Sequence, residues 1–163
     1  MKIFLYLILA VLLLSILITP IVEVFMLGRD KILLSSTVHN SFRAAREASY
    51  SYLDMRNVDA VVDKEVFLRS FARTFATSYG MDYINPTSNP LRFVSYDETF
   101  NDFFVTIEFY EDTGTGDATI TIVTITAESE YRFRTGYMRA IGMGSANPYM
   151  LTISRTYTMR IEN

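Results

Sequence analysis

The stretch Ile3–Leu27, IFLYLILAVLLLSILITPIVEVFML, decides how the rest of the chain is read. From Ile3 to Ile18 every residue except Ser15 is apolar, and Thr19, Pro20 and Glu23 are the further breaks before Gly28. A helix needs roughly 20 mainly apolar residues to cross the hydrocarbon core of a bilayer, and this run supplies them. It is apolar around its whole circumference, whereas a helix lying on a soluble core shows a single apolar stripe. The reading is a membrane-spanning anchor, with the lipid bilayer as its partner. A cleaved signal peptide is the competing reading. It wants a shorter apolar segment and a small-x-small site, and Thr19 to Glu23 holds no A-x-A pattern.

Orientation is weakly specified by charge, because Lys2 before the run nearly balances Arg29-Asp30-Lys31 after it. The Thr-laden, strand-rich remainder favours a single pass in the cell membrane with the amino terminus cytoplasmic and the carboxy-terminal part extracytoplasmic. Two residues near the outer end of the run stand out. Pro20 removes a backbone hydrogen bond, a loss the bilayer tolerates where neighbours re-satisfy the freed carbonyl. Glu23 places a carboxylate in or beside a spanning helix, which is expensive and usually partnered. Either it is hydrated at headgroup level, or it pairs with a cation of another subunit, such as Lys2, Arg29 or an α-amino group.

The helical pattern continues past Gly28. Leu34, Val38, Phe42, Ala45, Ser49 and Tyr52 recur at three- and four-residue spacings and form one stripe, with Asn40, Arg43, Glu47 and Asp54 opposite. Ser35, Ser36, Ser41, Ala44, Ala45, Ala48 and Ser49 are small, and small side chains let other elements approach closely. One long helix is therefore expected from near residue 3 to about Arg56. Its outer half should pack one face on the distal domain or on another subunit.

These residues carry a resemblance. Ile21-Val22-Glu23, then Gly28-Arg29, then Ala44-Ala45-Arg46-Glu47-Ala48 resemble the amino-terminal signature of TadE-like minor pseudopilins of tight-adherence (Flp-type) pilus systems. The match covers roughly the first 56 residues. It implies a membrane-inserted, pilin-like subunit working beside other pilin-like subunits or pilus assembly proteins, as a homo- or hetero-oligomer. Glu23, Arg29, Phe42, Ala45 and Arg46 are the assembly and interaction residues it points to. The Gly and Glu of a prepilin-peptidase site, usual before the apolar run in that family, have no counterpart here, since Met1-Lys2 leads straight into the run.

Across Asn57–Asp63 the pattern breaks, and Asp59 or Asp63 is suited to cap a second helix. Phe67, Phe71 and Phe75 at i+4, with Leu68, Ala72 and Tyr79 beside them and Gly80 after, predict a short amphipathic helix over about 63–79 whose Phe stripe faces a core. Asn85–Pro90 is a loop, and the period then changes to two. Strands are expected over Leu91–Tyr96, through Phe103–Tyr110, from about Ala118 to as far as Arg134, and from Leu151 to the end. The apolar phase shifts between Ile122 and Val123, which suggests a bulge or change of face. Residues 136–148 form a loop with a helical turn near Met138–Ile141, and Leu151, Ile153, Tyr157, Met159 and Ile161 share one face of the last strand. The expected fold is α+β: a long amino-terminal helix, then a short helix packed on an antiparallel sheet with one polar, Thr-rich face. The division is 1–28 anchor, 29–56 extracytoplasmic continuation of the helix, and 57–163 head.

Composition narrows the chemistry. The chain of 163 residues has no cysteine and one histidine, so no disulfide or thiolate metal site exists, and histidine-based catalysis or metal binding is remote. Residues 29–80 carry eight basic and six acidic side chains, whereas residues 81–163 carry six and eleven. An acidic distal half argues against nucleic acid as a partner. Glu111, Asp112 and Asp117 in a Gly-containing loop offer oxygens to Ca²⁺, but without the EF-hand order they read as a solvated hairpin tip. His39 reads as a surface residue. No G-x-S-x-G or other nucleophile motif is present and the carboxylates show no catalytic spacing, so no enzyme and no cofactor is expected. Two functions remain: a pilin-like component of a bacterial pilus or secretion assembly, or a single-pass anchored binding module for an envelope or surface ligand.

Overall fold

The computed structural model describes residues 2–49, 62–96, 100–113, 119–136, 138–140 and 149–161. The first helix, α1 (Lys2–Ser49), is unbroken across Pro20 and about 72 Å long at 1.5 Å per residue. It has two regimes. From Ile3 to Ile18 its large apolar side chains are 43–83 % exposed, so this is not the buried core helix of a soluble domain. From Glu23 onward one stripe is covered: Glu23, Asp30, Leu34, Val38, Phe42, Ala45 and Ser49 are buried, and Leu27 packs against the core from its edge. The bare part from Ile3 to Val22 is about 30 Å long, the thickness of a bilayer's hydrocarbon core. By length and composition α1 is the one helix among the described residues able to cross a membrane.

The buried stripe matches the expected one as far as Ser49. The continuation to Arg56, with Tyr52 and Asp54, lies outside the described residues. Of the two occupants left open for that face, the distal domain takes it: Leu34, Val38 and Ala45 have no exposure, and Phe42 stacks on Tyr157 at 4.0 Å between ring centroids.

The second helix, α2 (Lys64–Tyr79), starts and stops on sequence-encoded caps. Asp63 accepts from the Glu65 and Val66 N–H groups at 3.0 Å each. Gly80 sits at φ 64°, the left-handed conformation that ends helices without a Cβ penalty. Phe67, Phe71 and Phe75 are fully buried, and Phe75 meets the Phe93 ring of the sheet at 4.6 Å.

The sheet is a five-stranded antiparallel meander in the order β1 (Asp82–Ile84), β2 (Leu91–Val94), β3 (Phe100–Thr113), β4 (Thr119–Tyr131) and β5 (Met150–Ile161). Both helices lie on one face, over Phe93, Phe103, Val105, Ile107, Val123, Ile125, Leu151 and Met159. The other face is hydroxylic, with Thr124 and Thr156 paired at 3.2 Å and Thr126 and Ser154 at 3.1 Å. The fold is thus the expected α+β arrangement. β1 is an addition, three exposed residues that no alternation announces.

One expectation is corrected. The β3–β4 register runs without a break from Phe103↔Ser129 to Thr113↔Thr119, and its irregularity lies between Phe100 and Phe103, not at Ile122–Val123. β4 keeps a strict period of two. Its inner face is Thr121, Val123, Ile125, Ala127, Ser129 and Tyr131, all buried, while Ile122 faces outward. The apparent phase change came from polar Thr121 turned in beside apolar Ile122 turned out.

Candidate functional site

The junction between the two regimes of α1 is occupied by Glu23. It is the first buried residue of the stripe, only 4 % exposed, and the head reaches down to it. The segment after β4, through Arg132 and Phe133, carries the chain across α1 and turns at Thr135 into a helical turn at residues 138–140. The Glu23 carboxylate accepts hydrogen bonds from the Arg134 N–H, from the Thr135 N–H at 3.4 Å, and from the Thr135 hydroxyl. The same hydroxyl accepts from the Met138 N–H at 3.2 Å, and the Arg139 N–H bonds the Thr135 carbonyl at 2.9 Å. Thr135 therefore caps the turn and clasps the helix with one Oγ, using a hydroxyl's capacity to donate once and accept as well. Charge-assisted bonds to a carboxylate are among the stronger ones, and here they compensate the burial of Glu23.

Phe133 fixes the approach. Its ring meets Tyr131 at 5.2 Å and Tyr149 at 5.8 Å, and the Tyr131 N–H bonds the Tyr149 carbonyl at 3.0 Å, closing β4 on the start of β5. Two turns up α1 from Glu23, Asp30 is 9 % exposed, with the Arg29 Nε at 3.6 Å. Nearby Tyr79 is held neutral, because burial and then the Asp30 charge push its ionisation well above the usual tyrosine range.

The residues singled out from sequence do not converge. Glu23 is taken up by backbone amides and a hydroxyl of its own chain, partners that neither sequence alternative named. Arg29 projects outward, its side chain 80 % exposed. Phe42 and Ala45 are committed to the chain's own core. Arg46 is half-buried, in the last turn of α1. His39 is exposed on α1, as expected, with its ring 5.8 Å from that of Tyr157. Glu111 pairs with Lys64 at 2.8 Å, and Asp117 lies outside the described residues. Among the described residues no three His, Asp or Glu side chains come together as a metal site. Sequence reasoning missed Arg134 and Thr135 because they stand 111 and 112 residues from Glu23, and no local pattern marks an unremarkable Arg-Thr pair as its partner. No family model, no curated protein and no solved structure matches the chain.

Proposed function

We propose that this chain is a non-enzymatic, membrane-anchored, pilin-like component of a bacterial pilus or secretion assembly, of the minor pseudopilin type. In this reading Ile3–Val22 lies in the cell membrane with the amino terminus cytoplasmic, and the head stands outside. The observation that carries it is the two-regime helix. A bilayer-length bare segment runs without a break into the stripe on which the sheet is built, so anchor and core are one rod. Support also comes from exposed apolar side chains on α1 beyond Val22, notably Phe25 at 74 % and Ile32 at 72 %, which leave the rod a surface for neighbouring helices.

The absence of cysteine makes the test clean, since single cysteines can be introduced one at a time. Phe25→Cys and Ile32→Cys, in membranes of cells that carry the assembly, should cross-link α1 to itself or to another pilin-like helix. Glu47→Cys, on an exposed polar side of the helix, should cross-link less. If no α1 position cross-links, the subunit reading fails and an anchored binding module for an envelope or surface ligand is the better account.

A further inference from the structure

Between α1 and the free edge of the sheet lies an open groove of about 690 Å³ that the clasp at Glu23 does not touch. We propose that it binds a phosphate-bearing anion, presented as a lipid headgroup or as a free phosphate ester. The chain is acidic overall, at −3, yet among the described residues the groove is lined by Lys31, His39 and Arg155 and by no carboxylate. Arg155 occupies an inward-facing position of β5 where the core thins out at the edge. Its Nε and Nη2 donate to the Ser35 Oγ at 3.2 and 2.7 Å, which braces the guanidinium across the groove and leaves further N–H donors for a ligand. Ser35, accepting these bonds, keeps its own O–H to give.

The floor is equally organised. Tyr157 is clamped between the Phe42 ring at 4.0 Å and the His39 ring at 5.8 Å. Its buried hydroxyl has no hydrogen-bond partner among the described residues. Burial pushes its pKa above the usual tyrosine value, a rise the Arg155 charge opposes without cancelling, so the hydroxyl stays protonated. A planar guanidinium, an ammonium, an imidazole and the Ser35 hydroxyl form a donor set, with no acceptor charge among the described lining residues. Phosphate, with several charged oxygens, uses such a set fully, and an arginine fork suits its geometry. The groove falls within the roughly 300–1,000 Å³ of small-molecule sites, leaving room for an organic group against Ile153.

Both sources of phosphate are within reach. Lys31 comes about 13 Å of helix rise after Val22, and helical side chains lean toward the amino-terminal end. Its stem therefore points back toward the headgroup layer, which extends roughly 5–8 Å beyond the hydrocarbon. The free-ester source needs no membrane at all, and neither depends on the pilin-like reading.

His39 is the single histidine, so its ring protons give one isolated NMR signal inside the groove. The full chain, with labelled histidine, is placed in phosphatidylcholine nanodiscs and titrated with glycerol 3-phosphate. In parallel it is placed in nanodiscs where phosphatidylglycerol replaces part of the phosphatidylcholine. A saturable shift of the His39 signal on titration assigns the free ester, and a shift in the anionic nanodiscs without added ester assigns the headgroup. Either shift should weaken about tenfold or more in affinity in the Lys31→Gln/Arg155→Gln variant. Lys31→Gln alone, on an exposed turn of α1, gives the same reading at smaller size if the double variant does not fold. A His39 signal that neither ligand moves, or that moves equally in the variants, overturns the proposal.

Discussion

Glu23 shows how a single side chain can be conspicuous in sequence while its role stays hidden. A carboxylate in an apolar helix needs compensation, and local pattern offers only water or a foreign cation for it. The fold supplies Thr135 and two backbone amides instead. A hydrogen bond to a charged group contributes about 1.5–3 kcal/mol, and Thr135 makes two uses of its hydroxyl. Thr135→Val should therefore loosen the clasp without unfolding the sheet. Amide hydrogen exchange at Arg134 and Met138 should accelerate about tenfold or more, while exchange at Val105 and Ile125 stays as it was. Uniform acceleration through the sheet would instead make Thr135 part of the global core. Residue-scale chemistry of this kind is not legible in the sequence, because it joins positions more than a hundred residues apart that share no pattern.

Single elements are read far better where their rules are local. α2 announces its Phe stripe and its end at Gly80, both where they are expected, and of the two caps offered, Asp59 and Asp63, it starts at Asp63. Those caps make a quantitative prediction. Asp63→Ala should cost about 1 kcal/mol, the loss of an N-cap oxygen. Gly80→Ala should cost about 1–2 kcal/mol, because alanine must adopt φ 64° even though nothing crowds its Cβ. Chemical denaturation of the head measures both, and a stabilised Gly80→Ala would contradict the left-handed cap. β4 misleads for an equally local reason. Period-two reasoning counts apolar residues as inward, whereas Thr121 and Ser129 are buried, and the Ser129 hydroxyl bonds the Asn101 carbonyl at 3.1 Å. Burial of a satisfied hydroxyl is invisible to a hydropathy pattern. The groove escapes sequence reasoning too, since Lys31, His39 and Arg155 come together only when β5 closes the sheet beside α1.

At the scale of the whole molecule, the outer half of α1 belongs to the head's interior. Leu34, Val38 and Phe42 are each worth about 1.5–3 kcal/mol of burial, a sum comparable to the roughly 5–15 kcal/mol that holds a typical domain together. A chain beginning at Arg29 should thus stay folded and in solution, with cooperative thermal unfolding. One beginning at Val62 should expose the Phe67–Phe71–Phe75 stripe and aggregate. Circular dichroism and size-exclusion chromatography distinguish the two, and a monomeric, cooperatively unfolding chain from Val62 would show that α1 is dispensable. This division is legible in outline from the periodicity after Gly28, though not the depth to which the helix is covered.

The unbroken course of α1 also governs how the molecule can move. With no hinge loop between the bare rod and the packed one, the head has no tether on which to swivel or search. Its height, tilt and azimuth are inherited from whatever grips the first twenty residues. A twist imposed at one end is carried to the other through continuous helix, so α1 works as a drive shaft.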